Sequence, residues 1–384
     1  MRRQLLTFFV TAAVAVALVG CGESGNGGST SADTSTSTSN DSASHDVLDP
    51  LFALTSPGQW RSLGDDRFEV WVCRVPDGAT DPFYGGLALR LPFTPEGVTE
   101  VVTKHVTPYF ESLSLGQYRP LFVAGGEATL AIDDSPQVCI DQAIESASPD
   151  TRGVLVVADA EHGADQNGGF GSGGGECTSE PPCAVAESRR FAYVGASDFH
   201  PDWGDAPPMD LVQHELGHTL GWQHSAVELD GRYLSGLDLM SNSAAPRDTQ
   251  PERRDGPGTL GVNLLSAGWL PLADSWVAPA EGGSVRLEPS AAAAGTRLAV
   301  VPCCADGLFT VERFVAEGRY SHLPAGGVAV HEVRWTASGA IAITPLVGAA
   351  PFTDLLQPGD ELTVGDWVIN VGDAGAVTVS PLAP

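Results

Sequence analysis

The chain has 384 residues, of which 42% are hydrophobic and 18% are charged. It is therefore too apolar to be wholly disordered and long enough for one large or two smaller domains. Because 48 acidic residues face only 20 basic ones, the formal net charge is −28. That balance excludes the basic surface needed to bind nucleic acid or an anionic membrane surface, and it favours solubility and cationic partners, such as calcium or cationic substrates.

The N-terminus predicts export. Arg2 and Arg3 precede an uncharged apolar run from Leu5 to Val19. A run of about fifteen residues fits the apolar core of a signal peptide and is too short to span a bilayer comfortably. Cys21 follows small residues that resemble a lipobox, so we expect residues 1–20 to be removed and Cys21 to be lipidated. The alternative is an ordinary secretory signal with an incidental cysteine.

The expected product is a bacterial cell-envelope lipoprotein on the extracytoplasmic face. Residues 21–47 are mostly Ser, Thr, Gly, Asn and Asp, a composition that cannot bury a core and predicts a flexible tether. Two domains are expected after it, at 48–271 and 272–384.

Cysteine use agrees with export. Six cysteines remain besides the one expected to carry lipid: Cys73, Cys139, Cys177, Cys183, Cys303 and Cys304. They allow fifteen pairings, which the sequence alone does not resolve. Cys177 and Cys183 flank a Pro-rich loop and are the favoured local pair, which makes Cys73 with Cys139 plausible. The pairing of the adjacent Cys303 and Cys304 stays open.

The first half of the chain predicts a sheet with helices. Alternating or apolar runs predict strands at 67–73, 118–123, 154–158 and 191–194, and a helix at 95–113. A Gly-rich insertion from Glu161 to Cys183 is expected to be a loop that shapes a cleft. Asp159, Glu161, Asp165 and Asn167 carry oxygen atoms that suit calcium, although their spacing matches no known calcium motif.

The strongest chemical pattern follows these strands. An amphipathic run from Asp210 to Leu220 predicts a helix. His214 and His218 are four residues apart and therefore project from one face of it, while apolar residues occupy the opposite face. Two imidazoles on one helix face are suited to binding Zn²⁺.

The residues around this pair predict catalysis. Glu215 is placed to take a proton from a water bound to the metal, whose pKa falls to about 7. Gly221 permits the chain to leave the helix in a conformation that other residues disfavour, and His224 then becomes a third ligand. Three protein ligands leave the fourth position open, as in catalytic rather than structural zinc sites.

The extended pattern His-Glu-x-x-His-x-x-Gly-x-x-His at 214–224 resembles that of the metzincin zinc endopeptidases. Met240 lies in a segment similar to their methionine turn, a hydrophobic floor beneath the metal, and Leu264–Trp269 is similar to the segment that ends their next helix. Within the clan the chain is most similar to gametolysin-type and related secreted bacterial peptidases, over residues 60–270. The resemblance implies an α+β domain with a mixed twisted sheet, whose last upstream strand lines the cleft and pairs with an extended substrate.

Three positions qualify the resemblance. Some metzincins carry a tyrosine two residues after the turn methionine; here Asn242 stands there, so that role is absent or filled otherwise. Asp238 either bonds a ligand histidine or stabilises the turn. Cys73–Asp77 resembles a cysteine switch, but residues 68–73 are needed as the first strand of the catalytic domain, which favours a disulfide for Cys73.

The last third of the chain predicts an all-β domain, most simply a sandwich. Short alternating runs separated by Gly and Pro occur at 284–287, 297–301, 309–314, 328–333, 340–343, 367–371 and 376–379. His322 and His331 are expected to be packing or surface residues rather than metal ligands. This domain either binds substrate or cell wall or braces the catalytic domain.

Together these patterns predict an exported, membrane-anchored, zinc-dependent endopeptidase that acts on protein or peptide substrates. The alternative is a surface binding or adhesion lipoprotein whose metzincin domain is catalytically vestigial. A metallohydrolase acting on a non-peptide amide would keep the same metal site.

Overall fold

The structure is a computed structural model that describes residues 48, 62–81, 90–160, 168–173, 189–226, 233–304, 306–335, 341–348 and 355–383. The predicted signal peptide, the tether, Cys21 and the Cys177–Cys183 pair lie outside the described residues. Within the described ranges, no helix is both long and apolar enough to cross a membrane.

The first part of the chain forms a five-stranded mixed sheet. Its strands are β1 (Gly64–Arg74), β2 (Tyr118–Thr129), β3 (Gly153–Ala158), β4 (Gly169–Ser172) and β5 (Arg190–Val194). Their order is β2-β1-β3-β5-β4, with only β4 antiparallel to its neighbour. The continuous apolar sequence of β3 is fully buried, as expected of a central strand covered on both faces.

Helices cover both faces of this sheet. They are α1 (Pro95–His105), α2 (Thr107–Leu113) and α3 (Pro136–Ser146). Helices α1 and α2 pack against one face and α3 against the other. The predicted helix 95–113 is divided in two because Pro108 has no amide hydrogen for the preceding turn.

A disulfide fastens α3 to the sheet. Cys73 of β1 is bonded to Cys139 of α3, which confirms the disulfide expected for Cys73. Because its sulfur is used in this bond, Cys73 is not a free thiol of the cysteine-switch kind. The sequence analysis had not predicted α3 itself.

The edge of the sheet corrects the sequence analysis. The strand at 191–194 was expected to line the cleft, but β5 is an interior strand that lies between β3 and β4. The segment 161–183, expected to be a loop, contributes β4, which is the edge strand among the described residues. Four residues that include two glycines carry no clear strand pattern, which explains why the sequence did not reveal it.

Three further helices follow β5. They are α4 (Asp210–Thr219), which matches the predicted metal helix, α5 (Ala245–Thr249) and α6 (Gly261–Ala267). Gly268 ends α6 at a positive φ of 82°, and the Trp269 side chain after it is buried against Trp222 and Tyr118.

The remainder is all-β, as predicted. Its strands are β6 (Ser275–Val277), β7 (Gly283–Arg286), β8 (Leu298–Cys304), β9 (Gly307–Phe314), β10 (Gly327–Trp335), β11 (Ile341–Val347), β12 (Glu361–Val364), β13 (Trp367–Val371) and β14 (Ala376–Pro381). They form two sheets, one with the order β11-β10-β9-β8-β6 and the other with the order β12-β13-β14-β7. Alternate side chains of both sheets share one apolar cluster, the arrangement of a sandwich. Only β6 and β12 had not been predicted.

The other face of the five-stranded sandwich sheet packs against the first part of the chain. Its apolar side chains join the same cluster as those of β1, α1 and α4. The His322 Nε2–H donates to the carbonyl oxygen of Gly236 at 2.9 Å, and the Ser235 hydroxyl donates to that of Gly348 at 3.0 Å. The all-β region therefore holds the segment that leads into the methionine turn.

Candidate active site

Three imidazoles converge at the end of helix α4. His214 and His218 project from one helix face, as their spacing predicts. Gly221 adopts a φ of 84°, a conformation open to glycine, and the chain turns so that His224 faces the other two. The His224 Nε2 atom lies 2.9 Å from the Nε2 of His218 and 3.1 Å from that of His214.

Backbone carbonyls fix the orientation of two of these rings. The His214 Nδ1–H donates to the Leu239 oxygen at 2.7 Å, and the His218 Nδ1–H donates to the Trp222 oxygen at 2.8 Å. With the proton on Nδ1, each ring presents an unprotonated Nε2 to the others. Histidines that bind a metal ion typically donate their other ring N–H to a carbonyl group in this way.

Burial keeps the rings neutral. Burial, and then the two neighbouring imidazoles, lower the pKa of His214 to about 3. Burial also lowers the pKa of His218, and with His218 nearby it lowers the pKa of His224 to about 4. Neutral imidazole is the form that binds a metal ion.

The donor set fits zinc. Bonds of about 2.0–2.1 Å to a tetrahedral ion place neighbouring nitrogen atoms about 3.3 Å apart, close to the two separations measured at His224. Three nitrogen lone pairs that point at one another repel unless a cation lies between them. Among the described residues, these three histidines form the only group of three or more potential ligands close enough to share an ion.

Glu215 lines the same cavity as the three histidines. It is buried, and its Oε2 atom has no hydrogen-bond partner within the described residues. Burial raises the pKa of Glu215 well above its usual value. Gly169 of β4 leaves the space for this carboxylate, since a Cβ atom there would lie 2.7 Å from Oε1. A buried carboxylate without a fixed partner is able to accept and release a proton.

The methionine-turn segment lies beneath the helix. Met240 is fully buried, and its sulfur occupies the space above Gly217, where a Cβ atom would lie 2.4 Å from it. The Asp238 carboxylate accepts hydrogen bonds from the hydroxyls of Ser225 and Thr259. Of its two predicted roles, the structure therefore supports turn stabilisation.

Tyr233 is a site residue that the sequence analysis missed. Its hydroxyl lies 3.2 Å from the Nε2 of His224, and burial, followed by the charge of Glu215, raises its pKa. Asn242, at the position where some metzincins have tyrosine, also borders the cavity. Because Tyr233 precedes Met240 by seven residues, no motif position pointed to it.

These groups open into one cavity of about 680 Å³. Strand β4 and residues 241–244 both line it. Three charged residues beyond the metal site also line the cavity: Asp198, Asp210 and Arg247. Such a cavity accommodates several residues of an extended chain.

The other predicted residues lie elsewhere. Asp159 is buried in ion pairs with Arg74 and Arg90, and the three further calcium candidates lie outside the described residues, so the calcium site stays a prediction. His322 and His331 are buried in the all-β region, far along the chain from the metal helix.

The last two cysteines are both free. The Sγ atoms of Cys303 and Cys304 lie 3.0 Å apart, and the Cys304 side chain is exposed.

In comparisons with known proteins, no family model and no curated protein matches this chain.

Proposed function

We propose that the chain is a zinc-dependent endopeptidase that hydrolyses peptide bonds in protein or peptide substrates. The observation that carries the proposal is the convergence of three neutral imidazole nitrogen atoms beside a buried carboxylate, inside an open cavity. His214, His218 and His224 would hold the ion. Zinc in this position would polarise the substrate carbonyl and lower the pKa of water.

Two residues of the chain would then transfer the protons and stabilise the developing negative charge. Glu215, as general base, takes a proton from the attacking water and, as general acid, returns it to the leaving amine. Its burial keeps the proton affinity of the carboxylate high enough for both steps. The Tyr233 hydroxyl is positioned to donate a hydrogen bond to an oxygen atom that gains negative charge beside the imidazoles.

Strand β4 is the proposed binding edge for the substrate backbone. Among the described residues it pairs only with β5, and it borders the cavity. An extended peptide that adds to the other edge would run past Glu215 and the three histidines. This edge favours a peptide substrate over a small non-peptide amide.

We further propose that the protein is an exported lipoprotein of the bacterial cell envelope, anchored through Cys21. The N-terminal sequence pattern supports this proposal. The Cys73–Cys139 disulfide agrees with it, since such bonds persist in oxidising compartments outside the cytosol.

The test is hydrolysis of an unfolded protein and of a mixed peptide library by the purified full chain. We expect cleavage that a zinc chelator abolishes and that added zinc restores. A folded protein with one equivalent of zinc and no cleavage of either substrate would contradict the endopeptidase and favour the surface-binding alternative.

A further inference from the structure

A second group of charges lies at one end of the same cavity, one helical turn before the metal ligands. Asp210 is the first residue of α4, four positions and therefore about 6 Å along the axis from His214. Asp198 lies in the short helix Ser197–Phe199, and Arg247 lies in α5. All three line the cavity, although none belongs to the metal motif.

The one cation of this group is already paired. The Arg247 guanidinium binds Asp210 through two hydrogen bonds, Nε to Oδ1 at 3.3 Å and Nη2 to Oδ2 at 3.0 Å. Its Cζ atom also lies 5.8 Å from the centre of the Trp203 ring. A two-point pair of this geometry fixes the guanidinium in place and neutralises Asp210.

Within the described residues, Asp198 forms no hydrogen bond or ion pair, and Arg247 acts on it only through its charge. Its Oδ2 atom is buried, and no hydrogen-bond donor or cation in the described part of the chain binds it. Burial, and then the negative charge of Asp210, raise the pKa of Asp198 to about 7, while Arg247 acts in the opposite direction. An unpaired buried carboxylate is costly unless a ligand supplies the missing charge.

We propose that Asp198 is a specificity-determining residue: it accepts the guanidinium or ammonium group of a basic side chain next to the bond that is cleaved. When Asp198 is ionised, two carboxylates and one cation leave this end of the cavity with one negative charge, which a bound cation would neutralise. With a cationic side chain bound, the charges would alternate in sign from Asp198 to the ligand, to Asp210 and to Arg247. The net charge of −28 also attracts cationic peptides to the molecule. The inference rests on the proposed peptidase, whose substrate class it defines.

The first measurement does not need catalysis. Binding of N-acetyl-arginine amide to the zinc-free full chain is measured by calorimetry for wild type, Asp198→Asn and Asp202→Asn. The control residue lies four positions away, with a side chain that is 90% exposed, and its substitution changes the charge equally. We expect Asp198→Asn to weaken binding at least tenfold, and Asp202→Asn to change it less than twofold. Equal binding by all three proteins, or no binding by wild type, would overturn the proposal.

The second measurement uses the zinc-loaded protein and matched peptides that carry Arg, norleucine or Glu at each position near the cleaved bond. We expect wild type to prefer Arg at one position, and Asp198→Asn to lower the ratio of kcat/KM for the Arg peptide to kcat/KM for the norleucine peptide at least tenfold. Retained preference for Arg in Asp198→Asn would overturn the proposal. Thermal unfolding and zinc content establish that the variant is folded. If wild type binds the arginine ligand but cleaves no peptide, the proposed function fails and the cation site stands.

Discussion

At the scale of single residues, the site depends on how the imidazole rings are held. The spacing of the motif predicted which histidines lie together. It did not predict that the carbonyls of Leu239 and Trp222 would orient two of the rings, because those contacts depend on how distant segments pack. The clustering of the three histidines was therefore predictable from local sequence, whereas Tyr233, Asp198 and Arg247 reach the cavity only through the tertiary fold.

Tyr233→Phe tests the role of the phenol. The substitution removes one hydroxyl and retains the ring that contacts His214 and His224. We expect kcat to fall by about 10²–10³-fold, the range seen when a donor to a developing oxyanion is lost, with zinc content unchanged. Steady-state kinetics and metal analysis on the same samples check this. An unchanged kcat would show that the hydroxyl takes no part in catalysis.

At the scale of elements, strand β4 is one that the sequence analysis did not predict. It packs closely on helix α4: a Cβ atom at Gly171 would lie 2.4 Å from the backbone oxygen of Glu215 and 2.9 Å from the Cβ of His218. Gly173, at the end of the same segment, has its nearest neighbours at 3.5 Å. The close packing of β4 on α4 therefore requires glycine at position 171 but not at position 173.

The pair Gly171→Ala and Gly173→Ala tests this packing. We expect Gly171→Ala to displace β4 from α4, to lower the unfolding free energy by about 1–3 kcal/mol and to lower kcat/KM at least tenfold. Gly173→Ala is the matched control, for which we expect a change of less than about 0.5 kcal/mol. Denaturant unfolding and peptide hydrolysis measure both effects. Equal behaviour of the two variants would contradict the close approach of β4 to the helix.

Alternating strands were the elements most visible in the sequence. Periodicity found every strand of the sandwich except the short β6 and β12, because alternate side chains enter a shared core. The predicted helix 95–113 had the correct extent, but a proline divides it. Strand β4 was not predicted because its four residues, Gly, Phe, Gly and Ser, are too few to show a clear alternation and include two glycines, which are depleted in strands.

At the scale of the whole molecule, the sandwich and the part of the chain that carries the three histidines share one core. Glu312 of β9 is buried where they meet and accepts a hydrogen bond from the Gly261 amide of α6 at 2.7 Å. Burial raises the pKa of Glu312 to about 8, with the charge of Asp238 acting in the same direction. The junction therefore contains a carboxyl group that is protonated at neutral pH.

This carboxyl group predicts a loss of stability as the pH rises from about 4.5 to about 8. Its ordinary pKa is 4.5, so between about pH 4.5 and pH 8 the folded protein keeps a proton that the unfolded chain releases. The stability contributed by this proton is fully present below about pH 4.5 and is lost as the pH rises through about 8. We expect Glu312→Gln to remove this dependence and to raise the unfolding free energy at pH 9 by a few kcal/mol.

The matched control is Glu317→Gln, which removes the same charge from an exposed position of the same region. Denaturant unfolding from pH 5 to pH 9 measures all three proteins. Parallel curves for wild type and Glu312→Gln would contradict a neutral carboxyl group at the junction.

The central claim is that Glu215 moves protons at a zinc centre held by three histidines, and the most direct test is Glu215→Ala. Zinc content and hydrolysis of an unfolded protein are measured on the same samples of wild type and variant. We predict one equivalent of zinc in both and a rate that is about 10²–10⁴-fold lower in the variant, the usual contribution of a general base. Equal rates, or zinc-loaded wild type without measurable hydrolysis, would contradict the account.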